Sequence, residues 1–189
     1  MILTTGSKIV YPSQGPCLIG PIVKRIIDEQ PLMFYQLLVL NDCGGDLFIP
    51  VEKVEAIGIR RLLNISEIPK LLDHLLQPAI VADNYRQRSL QIVKLFATGS
   101  AFDLAEIVGA PTELNNSKSL SFGEHKTLER AKGLLICEIA EVMESTREAA
   151  LAQVDTVLAA RTKKSTTGAA ARKSLTAGRN QARYQAASS

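Results

Sequence analysis

The spacing of the apolar residues changes near residue 65, and this change constrains the fold of the chain more than any other feature of its sequence. Residues 1–60 contain short apolar runs divided by turn-forming residues, a pattern typical of strands. The runs are Pro16 to Ile27, Phe34 to Leu40 and Leu47 to Val51. From about residue 66 onward, apolar residues recur every three or four positions, which is typical of helices with one buried face. The sequence therefore predicts an α+β protein with a small N-terminal β-barrel followed by a compact all-α helical domain.

Several helix starts can be located from capping chemistry. At each of them a polar side chain can accept a hydrogen bond from a backbone amide of the first turn. Two of them also carry the reciprocal serine and glutamate of a capping box. The predicted caps are Ser66, Asp83 or Asn84 before Tyr85, Ser100, Ser121 with Glu124, and Ser145 with Glu148. Gly99 and Gly109 are predicted to end the helices before them, because glycine enters the left-handed conformation at little cost.

The last two predicted helices carry apolar stripes that indicate a shared core. The stripes are Leu128, Ala131, Leu135, Ile139 and Val142 in one helix, and Leu151, Val154 and Leu158 in the other. After residue 160 the large apolar residues almost vanish. Residues 161–189 are therefore predicted to be disordered, since they cannot offset the entropy of ordering.

The positive charge of the chain is concentrated in that C-terminal tail. Residues 161–189 contain seven basic residues and no acidic one, whereas the whole chain has a formal net charge of +3. Residues 1–160 are therefore mildly acidic, with a net charge of −4. A basic tail can hold DNA without sequence preference, although such tails are also common neutral appendages.

Composition and motifs exclude several classes of function. No run reaches the ~18 apolar residues that span a bilayer, and no secretory signal is visible, so a cytoplasmic protein without a membrane partner is expected. Cys17, Cys43 and Cys137 are odd in number and widely spaced, which suits reduced thiols better than a disulfide framework or a zinc site. The chain has only two histidines and lacks the metalloprotease, nucleophile-elbow and phosphate-loop motifs. The sequence thus predicts no enzyme activity, no metal and no cofactor.

An ordered series of short motifs runs through both predicted domains. It begins with Val10-Tyr11-Pro12 and Gly15, and continues with Phe48-Ile49-Pro50-Val51, Val54 to Arg60, Asn84 to Arg88, Ala97 to Ser100, and Leu120 to Glu124. In this order the motifs resemble those of the CarD/CdnL family of bacterial transcription regulators. The resemblance covers about residues 1 to 160. It implies an SH3-like or Tudor-like RNA-polymerase-interacting domain at 1–64, a helical DNA-contacting domain at 65–160 and a basic tail at 161–189.

The resemblance also implies a function and partners. Members of the family bind the β-subunit lobe of RNA polymerase that carries a sigma factor, contact promoter DNA at the upstream edge of the bubble, and alter the stability of the open complex. A monomer associated with the nucleoid through RNA polymerase is therefore expected. The alternative is a polymerase adaptor whose helical domain binds a protein partner without touching DNA.

The resemblance places candidate DNA-binding residues on two helices. Tyr85 stands where the family usually has a tryptophan that wedges into the minor groove, a device that holds distorted DNA. Arg86 and Arg88 fall where the family has basic residues, and phosphate contacts would explain cations in a first helical turn. Lys126 and Arg130 lie four residues apart and could contact a second phosphate. The alternatives are a tyrosine packed on the β-domain and solvated charges at the helix surfaces.

The candidate polymerase-binding residues are Arg25 and Phe48. Arg25 coincides with a family arginine that contacts the β-subunit lobe, and Phe48 replaces a second such arginine. Phe48 offers an apolar contact in its place, suited to strand addition or a small hydrophobic anchor. The alternative is that Phe48 points inward as part of the barrel core.

Overall fold

An antiparallel sheet forms the N-terminal half of the chain in a computed structural model. The model describes residues 3–41, 44–78, 82, 84–113 and 120–162. The strands are β1 (Lys8–Tyr11), β2 (Gly15–Ile27), β3 (Gln30–Val39), β4 (Asp46–Pro50) and β5 (Arg60–Arg61), in the order β4-β3-β2-β1-β5. The three predicted strand runs correspond to β2, β3 and β4.

One face of the sheet carries its own core. Tyr35 and Ile49 lie opposite each other on β3 and β4 and are both buried, together with Cys17, Ile19 and Leu37. Burial raises the pKa of the Cys17 thiol to about 11, so this cysteine is an unreactive core residue at neutral pH. The register of β2 against β3 shifts between Ile19 and Ile22, and beyond this irregularity the two strands extend as a hairpin past the core.

Helices form the second half, as predicted. They are α2 (Ile68–Leu76), α3 (Tyr85–Thr98), α4 (Ala101–Gly109), α5 (Phe122–Met143) and α6 (147–162), and they follow a short helix α1 (Val54–Ile57) in the first half. Ile68, Leu71 and Leu75 of α2 pack with Leu135 and Ile139 in a separate core. The α+β fold class is therefore confirmed. Among the described residues, no helix is both long and apolar enough to cross a membrane.

Two of the capping predictions are confirmed, at Asn84 and at Ser121 with Glu124, whereas Ser100 precedes α4 without a side-chain capping hydrogen bond. The Asn84 side chain accepts from the Arg86 amide at 2.9 Å, and Ser121 with Glu124 forms the predicted capping box. The prediction at Ser145 is wrong by one residue. The Ser145 amide donates to the Ala140 carbonyl at the end of α5, so Thr146 caps α6 by accepting from the Ala149 amide at 3.2 Å.

The predicted cap at Ser66 is also wrong, because a turn of 3-10 helix precedes α2. This turn spans Ile65–Glu67, and the Glu67 carboxylate accepts from the Asn64 backbone amide at 2.7 Å. Asn64 therefore begins the helical segment, two residues before Ser66.

Two glycines end helices for different reasons. Gly99 has a φ of 66° and lies against Pro12, which a β-carbon would approach to 3.1 Å. Gly109 is not left-handed, contrary to the prediction. A β-carbon there would lie only 2.1 Å from Nη1 of Arg161, so Gly109 leaves the space that this guanidinium occupies.

Arg161 also corrects the start of the predicted tail. It lies in α6, is buried, and donates from Nη1 to the Leu75 carbonyl at 3.0 Å. Residues 161 and 162 thus belong to the last described helix rather than to a disordered tail. The remainder of the predicted tail, 163–189, lies outside the described residues.

The sheet and the helices are joined by a partly buried ion pair that we call the interdomain clamp, formed by Arg60, which is 26% exposed, and the buried Glu138. Arg60 of β5 reaches α5 and donates to both carboxylate oxygens of Glu138, at 2.6 and 2.7 Å. The Arg60 Nε also donates to the Gly99 carbonyl at 2.9 Å, and the Leu63 amide donates to Glu138 at 3.2 Å. The clamp therefore connects the sheet, the turn between α3 and α4, and α5.

The turn between β1 and β2 forms a second contact with the helices. It contains Pro12 and Ser13 of the opening motif. Pro12 rests on Gly99, and the Ser13 carbonyl accepts from Arg130 of α5 at 2.8 Å. Gly15 at its end leaves room for Leu134, which a β-carbon would approach to 3.0 Å. The opening motif thus packs the sheet onto the helices.

Candidate functional site

The start of α3 presents an aromatic ring and a cation to solvent. Tyr85 is 57% exposed at the first helical position, so it is not packed on the β-domain. Arg86 follows it and is also exposed. The Asn84 cap orders this turn, because its side chain accepts from the Arg86 amide and its carbonyl accepts from the Arg88 amide, both at 2.9 Å. The ring of Tyr85 therefore projects from a backbone that is already ordered.

Arg88 does not belong to this exposed surface, which corrects its predicted role as a phosphate contact. It is 4% exposed, and its guanidinium donates to both carboxylate oxygens of Glu124, at 2.7 and 3.2 Å. This bidentate pair joins the start of α3 to the start of α5. A buried guanidinium that is already paired lacks the access that a phosphate contact requires.

The electrostatics of the pair agree with its geometry. Burial alone would raise the pKa of the Glu124 carboxyl, but hydrogen bonds from Arg88 and Ser121 outweigh burial and hold that pKa below its usual range. The hydrogen bond to Glu124 raises the pKa of the Arg88 guanidinium. Both groups are therefore charged at neutral pH.

The buried pair brings the start of α5 beside the start of α3. Phe122, the first residue of α5, is 86% exposed, and Lys126 one turn later is exposed as well. Tyr85, Arg86, Phe122 and Lys126 thus occupy the same end of the helical bundle. Sequence reasoning did not select Phe122. The available signal was a large apolar residue directly after a capping serine and outside the apolar stripe of its helix.

Arg130 lies further along α5 and is engaged with the sheet. Its guanidinium donates to the Ser13 carbonyl at 2.8 Å and lies 5.5 Å from the ring centroid of Phe96. It is exposed but points to the junction of α3, α5 and the β1–β2 turn. Arg130 is therefore separated from Tyr85 by most of the length of α3. Its position does not favour contact with the same phosphate as the residues around Tyr85.

The two candidate residues of the β-domain form one cluster. The guanidinium carbon of Arg25 lies 3.9 Å from the ring centroid of Phe48, in cation–π geometry. Phe48 pairs with Gln36 in the register of β3 and β4, whereas its neighbour Ile49 pairs with buried Tyr35. Because successive residues of a strand point to opposite faces, Phe48 lies on the face away from the core. The alternative that Phe48 is part of the barrel core is therefore wrong.

The same outer face carries further apolar side chains. Leu38 of β3 is exposed there, whereas Phe34, opposite Val23 and Pro50, is buried. The Gln36 amide donates to the exposed Asp46 carboxylate on the same face at 2.9 Å. With Arg25 and Phe48, these side chains make a surface of mixed character that carries one cation and one carboxylate. We call this surface the outer β-face. Its composition suits a protein partner, since aromatic residues and arginine are enriched at protein interfaces.

From the sequence, Glu124 was assigned only to a capping box, and Glu138 was not selected. Both lie in α5 at heptad spacing from Ala131, a member of the predicted apolar stripe of that helix. A carboxylate at a core position requires a charged partner, because burial of an unpaired charge is very costly. That signal was present, but the sequence could not show which cations pair with them.

The described residues show no arrangement for metal chemistry. Within these ranges, no three His, Cys, Asp or Glu side chains come together in a group that could hold a metal ion.

Two family profiles match the chain in sequence order. The CarD-like/TRCF RID domain matches residues 3–63, and the C-terminal domain of CarD matches residues 70–155. The chain is also similar to the 72-residue N-terminal domain of Myxococcus xanthus CarD, whose solution NMR structure is known. That similarity has 34% sequence identity and a TM-score of 0.26, and covers 31% of this chain and 77% of the Myxococcus chain.

Proposed function

We propose, from the premise that this chain belongs to the CarD-like family of transcription regulators that interact with RNA polymerase, that it binds the β-subunit lobe and stabilises the upstream edge of the promoter bubble. The family is one of regulators and not of enzymes. In this proposal the outer β-face docks on the polymerase, and the start of α3 contacts DNA.

The observation that carries the proposal is the exposed end of the helical bundle. Tyr85 projects there from a capped turn, beside the exposed cations Arg86 and Lys126 and the exposed ring of Phe122. Rings that enter a distorted base step, flanked by cations that contact phosphates, are how minor-groove proteins hold bent or opened DNA. In this proposal the second phosphate contact, beside Arg86, is made by Lys126 and not by Arg88.

The proposed mechanism is physical rather than chemical. A factor bound to polymerase is held beside the upstream fork at high effective concentration, so a few weak contacts with DNA suffice. Any contact that is stronger in the open than in the closed complex shifts the equilibrium towards open DNA by that difference. The clamp between Arg60 and Glu138 supports this mechanism, because together with the packing of the β1–β2 turn it joins the sheet that carries the outer β-face to the helices that carry Tyr85.

Replacement of Tyr85 with alanine is expected to shorten the lifetime of the open complex roughly tenfold, since one stacked ring contributes about 1–3 kcal/mol. The measurement is the dissociation rate of promoter complexes formed with the polymerase of the source organism, after addition of a competitor. Tyr85→Trp is the matched control and is expected to lengthen the lifetime. If Tyr85→Ala leaves the lifetime unchanged, Tyr85 is not a wedge, and the alternative of a helical domain that binds only protein gains support.

Replacement of Arg25 with glutamate is expected to weaken polymerase binding about tenfold, because it reverses the charge at this position and removes the cation from Phe48. Lys24→Glu makes the same change of charge at the neighbouring exposed position on the other face of β2, and is expected to have less than about a threefold effect. Titration of labelled protein with core polymerase compares the two. Equal losses for both variants would point to general electrostatics and against docking through the outer β-face.

A further inference from the structure

A groove runs between α3 and α5 beyond the exposed end of the bundle. The two helices lie side by side in the same direction, because Arg88 contacts Glu124 near their starts and Phe96 contacts Arg130 further along. Between them, and closed at one end by the β1–β2 turn, is a recess of about 460 Å³. It is lined mainly by Pro12, Val93, Phe96, Ala97, Lys126 and Arg130. We call it the α3–α5 groove.

The helix that forms one wall exposes an apolar stripe. Leu90 and Val93 are 64% and 60% exposed, and Ala97 continues the same face of α3 one turn later. Arg86 precedes them on this face. From Arg86 to Ala97 the stripe spans roughly 16 Å, or about three helical turns. Exposed apolar residues at helical spacing along a recess are the pattern of a groove that receives an amphipathic helix.

The opposite wall is positively charged. Lys126 and Arg130 lie on successive turns of α5, and none of the residues that line the groove is acidic. Glu129 is exposed on α5 between them but does not line the groove. Arg130 is held by Ser13 and lies beside Phe96. A ligand in the groove would therefore contact apolar side chains of α3 on one side and two cations of α5 on the other. The Arg130 cation is already held in position by the Ser13 carbonyl.

We propose that the α3–α5 groove binds an acidic amphipathic helix of a partner protein. Apolar side chains of that helix enter the recess and pack on Val93 and Phe96 of α3. Its carboxylates face Lys126 and Arg130 of α5. The segment of the chain that follows α6 has the wrong charge, since residues 163–189 carry six basic residues and no acidic one. The sugar-phosphate backbone of DNA would match the cations but would leave Leu90 and Val93 against a polar surface.

This inference goes beyond the proposed function, because it adds a protein contact on a surface that borders the DNA-contacting end and shares Lys126 with it. Its test requires neither polymerase nor promoter. Failure of the proposed function and failure of the groove are therefore distinguishable.

The test is selection of ligands for the full chain from a phage-displayed library of helical peptides. One face of each peptide varies among apolar residues, and the flanks vary among glutamate, lysine and glutamine. Peptides enriched on the wild-type protein are expected to carry glutamate beside the apolar face. Their binding, measured by fluorescence anisotropy, is expected to weaken with added salt.

Two variants on α3 locate the binding site. Val93→Asp places a negative charge in the apolar wall and is expected to weaken the enriched peptides at least about tenfold. Gln87→Asp adds the same charge at an exposed position of α3 outside the groove, and is expected to leave binding unchanged. Because Val93 is largely exposed, the variant is expected to fold, which thermal unfolding monitored by circular dichroism checks.

Four outcomes would overturn the proposal. The first three are enrichment of lysine-flanked peptides, no enrichment at all, and peptide binding that is insensitive to Val93→Asp. The fourth is displacement of the peptide by duplex DNA, if Val93→Asp weakens the binding of that DNA as strongly as it weakens the binding of the peptide. Self-association of the wild-type chain that Val93→Asp abolishes in analytical ultracentrifugation would assign the groove to a second copy and would overturn it as well.

Discussion

Arg88→Ala is expected to destabilise the fold by about 3–5 kcal/mol, because it leaves Glu124 buried without its bidentate partner. Arg86→Ala, two residues earlier on the same helix, is the control and is expected to change stability by less than about 0.5 kcal/mol, since Arg86 is exposed. Urea-induced unfolding monitored by circular dichroism compares the two variants. Equal stabilities would mean that the buried pair does not hold α3 to α5.

The double variant Arg88→Met, Glu124→Leu separates a structural role from contact with DNA. Replacement of a whole buried ion pair with apolar residues is often neutral, so this variant is expected to recover most of the stability that Arg88→Ala loses. It is also expected to support open complexes of normal lifetime. A stable double variant with a short lifetime would return Arg88 to the set of DNA contacts.

The same pair predicts how stability depends on pH. The folded pKa of Glu124 lies below the ordinary value of 4.5, so its ionised form stabilises the fold fully above that value. This contribution is lost as the pH falls through the lowered pKa. The Arg88→Met, Glu124→Leu variant is therefore expected to lose less stability than the wild-type protein below about pH 4.

Glu138→Ala is expected to have the second large effect, about 2–3 kcal/mol, because Arg60 and the Leu63 amide both lose the buried carboxylate that accepts from them. Glu141→Ala is the matched control on the same helix. The ion pair of Glu141 with Lys8 joins the same two domains at the surface, so its loss is expected to cost about 0–1 kcal/mol. Chemical denaturation measures both changes.

The clamp is also expected to matter for function. Under conditions in which the Glu138→Ala variant is folded, it is expected to bind polymerase as the wild type does. The reason is that the outer β-face lies on β2, β3 and β4 and not at the clamp. The lifetime of the open complex is expected to fall, since one of the contacts that hold Tyr85 in place relative to that face is lost and only the β1–β2 turn and the surface ion pair remain. Normal lifetime with reduced stability would show that the clamp serves folding alone.

How far the candidate site could be predicted is clearest at the start of α3. Asp83 or Asn84 was predicted as the cap, because a capping residue and the first turn interact over only two or three positions. The exposed role of Tyr85 was implied by the family resemblance, and packing on the β-domain was its alternative. Arg86 and Arg88 looked equivalent in the sequence. They differ because α5 covers one side of α3, which buries Arg88 against Glu124 and leaves Arg86 in solvent.

Two local predictions failed for different reasons. One failed because of a competing local hydrogen bond, and the other because of a tertiary contact. Ser145 fits a capping box, but its amide closes the end of α5, and the start of α6 moves to Thr146. Gly109 was predicted as a left-handed stop, whereas it makes room for Arg161 from the far end of α6. In both cases the residue type was noted correctly and the reason for it was wrong.

The sequence by itself determined the order of strands and helices, the α+β class and most element boundaries, since these depend on the period of apolar residues and on caps within one turn. Only the tertiary structure decided which charges are paired in the interior and which face solvent. Arg88 meets Glu124 across 36 residues and Arg60 meets Glu138 across 78. Burial of a charge depends on the segments that cover it, and periodicity within one segment does not specify those distant contacts.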